Sequence, residues 1–394
     1  MKSQYTNPKG REIIKGILEG KTAAIINLGC KVNKYEADAM KKKLAKSGIK
    51  FPENDKTDIY IVNTCSVTNI AGRKSRQMLR RAKKQNPNAV IVAVGCYVNA
   101  AYEELHQNEW IDIVIGNHKK KDIVWILERY YHNEKKKEVL EKQDTYIDIN
   151  DIQEYEEMGS AEAAYLDRDK AYIKIQDGCN QFCTYCMIPY IRGRARSRNP
   201  ENIMKEVKTL SLQGMKEFVL TGIHISSYGE DFESGMPDLK DLIQMIKKVN
   251  TVKTIYLGSL EPSIITEAFL ESLKDNEQFY PHFHLSLQSA CNATLARMNR
   301  KYTIEEYKQK CNMIRSFFKE ARITTDIIVG FPKESEEEFA ITYQNLKELN
   351  LYKIHVFPYS PRKGTKAETM AGQVSEQVKN ERSKKLLDLS VAIF

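Results

Sequence analysis

Short apolar runs alternate with helix-like segments along most of the chain, and this rhythm limits the possible folds more than any other feature. Continuous apolar runs between helices are typical of parallel strands buried on both faces. In the first part of the chain, the predicted strands are 22–28, 58–62, 89–94 and 112–115, and the predicted helices are 33–46, 69–84, 100–106 and 119–130. We therefore expect an open parallel α/β domain of the Rossmann or flavodoxin-like type over residues 21–132, preceded by an extension over residues 1–20.

The alternation stops after residue 132 and restarts at about residue 169. Residues 133–168 are first lysine-rich and then acidic, so we interpret them as a linker with one strand at 145–149. The predicted strands beyond it are 171–176, 217–221, 254–258, 282–287, 322–329 and 353–357. The predicted helices are 199–213, 238–248, 263–274, 303–319 and 335–348, with a last helix at 375–391. Six such units predict a partial (β/α)6 barrel of the TIM type over residues 169–394.

The composition fits a globular protein whose cysteines stay reduced. The 61 Lys and Arg residues exceed the 52 Asp and Glu residues, and the net charge of +9 permits a polyanionic partner without requiring one. We expect a cytoplasmic protein without membrane contact, because the first 20 residues are polar and no apolar run approaches the ~18 residues of a spanning helix. In that setting, eight cysteines indicate metal ligation or catalysis rather than disulfides.

Three of the cysteines form a C-x3-C-x2-C motif at Cys179, Cys183 and Cys186. Such close spacing lets three thiolates converge on one inorganic centre, as in cysteine-bound iron–sulfur clusters. A structural zinc site would need four ligands, and the next candidates, His224 and Cys291, are distant in sequence. The motif therefore predicts a cluster with one iron left open.

A second set of three cysteines belongs to the first domain. Cys30, Cys65 and Cys96 are far apart in sequence, but each follows the carboxyl end of a predicted strand. In an open α/β sheet that edge is where ligands bind, so the three sulfurs can converge on a second cluster. The alternative is three buried cysteines that act as small apolar residues. We expect the remaining pair, Cys291 and Cys311, to be ordinary thiols.

Together, these features resemble the radical S-adenosylmethionine (SAM) methylthiotransferase family. The resemblance rests on the C-x3-C-x2-C motif, on the preceding domain with its three cysteines, and on the barrel. It covers nearly all of residues 22–390. The stretches Leu28-Gly29-Cys30-Lys31-Val32-Asn33 and Asn63-Thr64-Cys65-Ser66-Val67-Thr68 resemble the branch that acts on N6-threonylcarbamoyladenosine in tRNA. The first domain would then be a methylthiotransferase domain, and the barrel a radical SAM barrel.

The resemblance implies two [4Fe–4S] clusters and SAM as cofactors. The cluster on Cys179, Cys183 and Cys186 would bind SAM and cleave it to a 5′-deoxyadenosyl radical, which takes hydrogen from C2 of an adenine at tRNA position 37. The auxiliary cluster on Cys30, Cys65 and Cys96 would deliver sulfur, and a second SAM would methylate it. The implied partners are a tRNA anticodon stem-loop, a flavodoxin- or ferredoxin-like electron donor and a sulfur donor.

Polar residues at the ends of the barrel strands are the expected contacts to SAM, because functional side chains of such barrels collect at that face. The segment Leu220–His224 stands where the family holds the SAM amino group. The candidate cofactor-binding residues are Thr221, Gly222, Ser259, Glu261, Ser286, Gln288 and Gly330. The alternative is that each of these residues has only a structural role, as a cap or turn at the end of a strand. Ala290 and Lys333 depart from the family, which often has glycine there.

Two basic runs, each following a presumed cluster ligand, are the candidate RNA contacts. The first holds Arg73, Lys74, Arg76, Arg80 and Arg81, and the second holds Arg192, Arg194, Arg196 and Arg198. Both runs lack acidic residues. The functional interpretation is that they contact the phosphates of a docked RNA loop, and the alternative is that they are simply solvated charged surfaces. The target adenosine would have to be splayed out of its stack to reach the radical.

The family normally continues into a small RNA-binding β-barrel of the TRAM-like type, and we expect that module to be absent because the chain stops at Phe394. Alternative substrates within the family are N6-isopentenyladenosine in tRNA and a ribosomal-protein aspartate. From other functional classes, the alternatives are a non-catalytic iron–sulfur electron carrier and a zinc-dependent RNA-binding protein.

Overall fold

The computed structural model describes residues 16–53, 56–66, 69–134, 137–159 and 170–392. The strands are β1 (Ala23–Asn27), β2 (Ile59–Thr64), β3 (Val90–Gly95), β4 (Ile113–Ile115), β5 (Lys170–Lys174), β6 (Gln176–Asp177), β7 (Arg196–Ser197), β8 (Glu217–Thr221), β9 (Thr254–Leu257), β10 (His282–His284), β11 (Arg322–Val329) and β12 (Lys353–Pro358).

The α-helices alternate with these strands. They are α1 (Lys31–Lys46), α2 (Asn69–Gln85), α3 (Cys96–Ala100), α4 (Tyr102–His106), α5 (Ile123–His132), α6 (Lys142–Thr145), α7 (Ile188–Ile191), α8 (Pro200–Leu212), α9 (Leu239–Lys247), α10 (Glu267–Lys274), α11 (Asn292–Arg297), α12 (Ile304–Phe317), α13 (Glu336–Leu349) and α14 (Glu376–Ala392). No helix within the described ranges is long and apolar enough to cross a membrane.

The first domain is built on a parallel sheet with the strand order β1-β2-β3-β4. Every residue of β2 and β3 is buried, because helices cover both faces of the sheet. This confirms the predicted open parallel α/β fold. Leu18 packs into the same core, so the domain begins inside the segment that we predicted as an extension. Residues 1–15 of that segment lie outside the described residues.

The second domain is a partial barrel, as predicted. Parallel sheets β5-β8-β9 and β10-β11-β12 are joined by single bridges from Ile255 to Phe279 and from Leu260 to Leu285. The alternate residues that point away from the barrel axis form one large core under the helices. Strands β5 and β12 are the two edges of this open barrel among the described residues. Helix α1 of the first domain packs against β5.

The segment between the domains differs from the prediction. The expected strand at 145–149 is absent from the described residues, where α6 ends at Thr145 and a 3-10 helix spans Ile149–Asp151. The backbone N–H of Gly116 donates to the Thr145 carbonyl, and Leu140 and Met158 pack into the first core. A strand needs a neighbour to pair with, and this segment instead folds back onto the first domain.

Candidate active site

The C-x3-C-x2-C segment forms a tight loop that begins directly after β6 and lies between the two antiparallel strands β6 and β7. Gly178 has φ of +71°, and a Cβ there would come within 1.8 Å of the Arg194 carbonyl oxygen, so only glycine fits before the first cysteine. The Cys179 N–H donates to the Gly193 carbonyl. Backbone N–H groups of Gln181 and Ile188 point at the sulfurs of Cys179 and Cys186, at 3.5 Å each. The backbone thus fixes this loop before any ligand binds.

Burial keeps these thiols protonated when nothing is bound to them. It raises the pKa of Cys179 to about 11 and that of Cys186 to about 12, and the neighbouring Cys183 raises both further. A bound metal centre would lower the pKa of these thiols, because it stabilises the thiolate form.

The sulfurs of each cysteine triad are spread more widely than the ligands of a single zinc ion. A tetrahedral zinc ion with Zn–S bonds of about 2.3 Å would hold its sulfurs about 3.8 Å apart. Within the described ranges, the group of metal-ligand side chains with all donor atoms inside 4.8 Å is His284, Asp326 and His355, and neither cysteine triad meets that limit. In number and type, three thiolates are ligands that iron–sulfur clusters use.

Arg300, which follows α11, connects Cys183 to two candidate SAM contacts. Its Nη1 lies 3.3 Å from the Cys183 sulfur, and its Nη2 pairs with the Glu261 carboxylate. Its Nε donates to the Tyr302 hydroxyl, which in turn donates to the Ser286 carbonyl at 2.7 Å. Glu261 and Ser286 are therefore brought to the cysteine loop. Sequence reasoning missed Arg300 because it also missed α11, which places it.

The other candidate SAM contacts occupy the carboxyl ends of the strands, with different local surroundings. Gly222 packs on Gln176, whose side-chain oxygen accepts from the N–H groups of Ile223 and His224 at 3.1 and 2.7 Å. Thr221, just before Gly222, is buried, and Ser259 is exposed.

Further round the barrel, Gln288 has φ of +72° and Gly330 of +69°. The Gly330 N–H donates to Glu334, and its Cα faces the Lys379 side chain rather than open space. Lys333 also adopts a left-handed φ of +64°, which explains why a glycine would suit that position.

The three cysteines of the first domain meet at the carboxyl edge of its sheet. Cys30 immediately precedes α1, Cys65 follows β2, and Cys96 begins α3. Buried Asn33 ties their loops together, since its Nδ2 donates to the carbonyls of Leu28 and Thr64 at 2.7 and 3.0 Å.

Two glycines keep these loops close. A Cβ on Gly29 would lie 3.0 Å from the Cys65 sulfur, and one on Gly95 would lie 2.5 Å from the Thr64 carbonyl oxygen. Although Cys30 reaches solvent, burial by the surrounding protein raises the pKa of its thiol, and Cys96 raises it further.

Arg192 joins the two cysteine sites. Its Nε donates to the Cys96 sulfur at 3.3 Å, and its Nη1 contacts Asp177, two residues before Cys179, at 3.0 Å. The same guanidinium donates to Glu36 at 2.9 Å and to the Asn33 side chain at 2.9 Å.

Two lysines complete the network around Glu36. Lys174 lies 2.8 Å from Glu36 and 2.6 Å from Asp177, and Lys120 lies 2.5 Å from Glu36. Three buried cations thus face two carboxylates. Burial alone would raise the pKa of Glu36, but Arg192, Lys120 and Lys174 hold it well below its ordinary value. The remaining positive charge lies beside Cys96, where a thiolate ligand would neutralise it.

The second basic run is mostly unavailable to RNA, which corrects the prediction for Arg192, Arg196 and Arg198. All three are buried. Arg196 donates to the carbonyls of Arg192 and Arg194, and Arg198 pairs with Glu157 at 2.9 Å and with Glu206. Only Arg194 of this run is exposed, and it covers the Phe182 ring at 4.4 Å.

The first basic run lies on α2 and is largely solvent-facing. Arg73, Lys74, Arg80 and Arg81 are exposed, whereas Arg76 is half-buried and donates to the Tyr97 hydroxyl at 2.6 Å.

The two cysteines outside the triads, Cys291 and Cys311, are buried, and burial raises the pKa of Cys311 to about 12.

Comparison with known families matches both halves of this architecture. Residues 173–346 match the radical SAM superfamily, and residues 22–116 match the uncharacterized protein family UPF0004. Among solved structures, the radical SAM methyltransferase TsrM from Kitasatospora setae has a similar fold, with a TM-score of 0.64 at 12% identity over 88% of this chain and 77% of TsrM.

Several relatives are similar over almost the whole chain. Threonylcarbamoyladenosine tRNA methylthiotransferase MtaB of Bacillus subtilis is 40% identical over 370 residues, 94% of this chain and 80% of the relative. The Aquifex aeolicus protein of the same name is 38% identical over 93% of this chain and 87% of its own. The tRNA-2-methylthio-N(6)-dimethylallyladenosine synthase of Thermoanaerobacter sp. is 35% identical over 92% of this chain and 76% of its own. The chain therefore belongs to the radical SAM tRNA methylthiotransferases, enzymes that use SAM and two [4Fe–4S] clusters.

Proposed function

We propose that the protein converts N6-threonylcarbamoyladenosine at position 37 of tRNA to its 2-methylthio derivative. The observation that carries this substrate is the similarity to relatives named for it, at 40% and 38% identity, against 35% for a relative named for dimethylallyladenosine. The dimethylallyl (isopentenyl) substrate is the second candidate, because that relative also spans 92% of this chain.

The two cysteine triads would hold the two clusters. We assign Cys179, Cys183 and Cys186 to the cluster that binds SAM, and Cys30, Cys65 and Cys96 to the auxiliary cluster. When bound, the first cluster supplies the electron that cleaves SAM to a 5′-deoxyadenosyl radical, and the second supplies the sulfur. The contacts of Arg192 with Cys96 and with Asp177 support this pairing, since one side chain spans both loops.

The protein's own residues orient and enclose the reactants. Glu261, held by Arg300 beside Cys183, is one of the proposed SAM contacts. Thr221, Gly222, Ser259, Ser286, Gln288 and Gly330 are the further proposed contacts along the strand ends. Their backbone and side-chain groups would fix the cofactor against the cluster and exclude water from it.

The exposed cations of α2 would bind the phosphates of the anticodon stem-loop, with Arg194 as a further contact. The reaction also needs partners that supply an electron and sulfur. A flavodoxin- or ferredoxin-like protein would serve as the electron donor, and a separate donor would replenish the sulfur.

Nucleoside mass spectrometry tests the substrate directly. The full chain, expressed in a bacterium that lacks its own methylthiotransferases, should convert threonylcarbamoyladenosine to the 2-methylthio form and leave dimethylallyladenosine unmodified. A Cys183→Ala variant is the matched control and should give neither product. Methylthio groups on dimethylallyladenosine alone would overturn the proposal in favour of the second candidate.

A further inference from the structure

The inner face of the barrel carries a cluster of histidines and one carboxylate, which we call the inner cluster: His282, His284, Thr324, Asp326 and His355. These residues alternate along β10, β11 and β12 with core residues such as Phe283, Ile323 and Ile354. Because successive side chains of a strand point to opposite faces, the inner cluster faces the barrel interior. The pairing of His284 with Thr324, and of Asp326 with His355, brings its members together.

The members of the inner cluster contact one another. The Thr324 hydroxyl lies 2.9 Å from His284 Nδ1 and 3.0 Å from His282 Nε2. His284 Nε2 lies 3.4 Å from an Asp326 carboxylate oxygen, and the rings of His284 and His355 are 5.8 Å apart. The Asp326 side chain is nevertheless 33% exposed, so the inner cluster lines accessible space.

The inner cluster lies deeper in the barrel than the candidate SAM contacts of β10. Ser286 and Gln288 continue the inward face of β10 towards the carboxyl end, two and four residues beyond His284. At about 3.3 Å per residue, the inner cluster lies roughly 7 to 13 Å deeper than those residues. From the other side, the charge of Lys31, the neighbour of Cys30, acts on His282.

Two imidazoles of the inner cluster, those of His282 and His355, offer hydrogen bonds without a positive charge. Burial lowers the pKa of His282 to about 4 and also lowers that of His355, so both imidazoles are neutral near pH 7. Neutral imidazoles and a carboxylate can accept and donate hydrogen bonds, but burying them against a hydrocarbon group would leave them unsatisfied and cost free energy.

The two candidate substrates differ in the chemistry that this site recognises. A threonylcarbamoyl group carries urea N–H donors, a hydroxyl and a carboxylate, whereas a dimethylallyl group is pure hydrocarbon. A site built to hydrogen-bond a substrate strongly rejects an analogue that lacks the matching groups.

We propose that the inner cluster binds the N6 substituent of the target adenosine and selects a polar aminoacyl-carbamoyl group over a hydrocarbon one. This inference rests on the proposed function, because it assigns residues to the substrate named there. His355 and Asp326 are the central specificity-determining residues, and Thr324 holds His284 in position for them.

Binding without turnover tests the proposal. The reconstituted full chain, without SAM, is titrated with three anticodon stem-loop RNAs that differ only at the target adenosine: unmodified, threonylcarbamoyl and dimethylallyl. The wild type should bind the threonylcarbamoyl RNA about tenfold more tightly than the unmodified RNA, as expected for one or two hydrogen bonds in a partly buried site. His355→Leu should abolish that preference without changing the affinity for unmodified RNA.

Two further variants make the result specific. His355→Gln, which keeps hydrogen-bonding groups, should restore part of the preference even if the leucine variant folds poorly. His132→Leu replaces an exposed histidine of α5 and should behave like the wild type.

The outcomes separate the two proposals. If the wild type methylthiolates threonylcarbamoyladenosine but His355→Leu keeps the full binding preference, the inner-cluster proposal is wrong and the proposed function stands. If the wild type prefers the dimethylallyl RNA, both fail. Purified protein that contains one zinc or manganese ion, lost in His355→Leu, would also overturn the proposal, because the cluster would then be a metal site.

Discussion

The two basic runs resemble each other in sequence and lie in opposite environments in the structure, one exposed and one mostly buried. Each lacks acidic residues and each follows a cysteine of one triad. On α2, Arg73, Lys74, Arg80 and Arg81 face solvent. Between Arg192 and Arg198, three of the four arginines are buried against carboxylates and carbonyl groups. A run of positive charge is therefore an RNA-binding candidate only where the fold supplies no buried acid to meet it.

The partners of the buried run explain the difference. Glu36 lies 156 residues from Arg192, and Glu157 lies 41 residues from Arg198. Such carboxylates are brought together only when the two domains and the segment between them pack. Among the described residues, no ion pair joins Arg73, Lys74, Arg80 or Arg81 of the α2 run to a carboxylate, and these four side chains face solvent.

The largest expected effect tests the buried run. Arg192→Met should lower the free energy of unfolding by about 3–5 kcal/mol, because it removes the buried ion pairs and hydrogen bonds that the guanidinium makes with Glu36 and Asp177. Chemical denaturation of the cluster-free protein measures this without any contribution from metal. Arg194→Met, two residues away and exposed, should change it by less than about 0.5 kcal/mol. Equal effects of the two substitutions would contradict the comparison.

A pH series on Glu36 gives the next largest effect. Its folded pKa is depressed, so its stabilisation is present above the unfolded pKa near 4.5 and is lost as the pH falls through the lower folded value. Stability of the wild type should thus decline steeply below about pH 4.5. Glu36→Gln should be about 2–3 kcal/mol less stable at pH 7 and should show a shallower decline in acid. An unchanged acid profile would mean that Glu36 is not paired in solution.

The exposed run should affect RNA binding and leave stability unchanged. Arg80→Gln with Arg81→Gln should weaken tRNA binding by about tenfold at moderate salt and reduce the slope of log K against log salt by about 1.5–2. The unfolding free energy should stay within about 0.5 kcal/mol of the wild type. Lys384→Gln with Lys385→Gln, an exposed pair on α14, is the charge-matched control. An equal loss of affinity in both double variants would indicate a nonspecific charge effect.

The sequence predicted well those features that depend on local patterns. The apolar runs placed the sheet strands to within a few residues, and the position of Cys30, Cys65 and Cys96 just past three strand ends put them at the same sheet edge. The strand ends likewise placed Glu261 and Ser286 on the cysteine side of the barrel, where Arg300 and Tyr302 connect them to Cys183.

Features that depend on long-range pairing could not be predicted. Arg300 acts through contacts to Cys183 and Glu261, which lie 117 and 39 residues away. The segment at 145–149 had strand-like residues, but it found no strand to pair with and bends into short helices instead. The inner cluster was also missed, since its histidines and Asp326 belong to three different strands and form no local motif.

The first domain also covers the open side of the barrel. Strand β5 ends the barrel on one side, and the neighbouring domain's α1 packs there, with the Tyr35 hydroxyl donating to Glu206 of α8. Helix α1 of the first domain therefore closes the β5 side of the barrel, in which we propose that the reaction takes place. Separating the domains would therefore do more than remove the three cysteines of the first domain. Water would enter the barrel, and a radical formed there would be quenched before it reacted with its substrate.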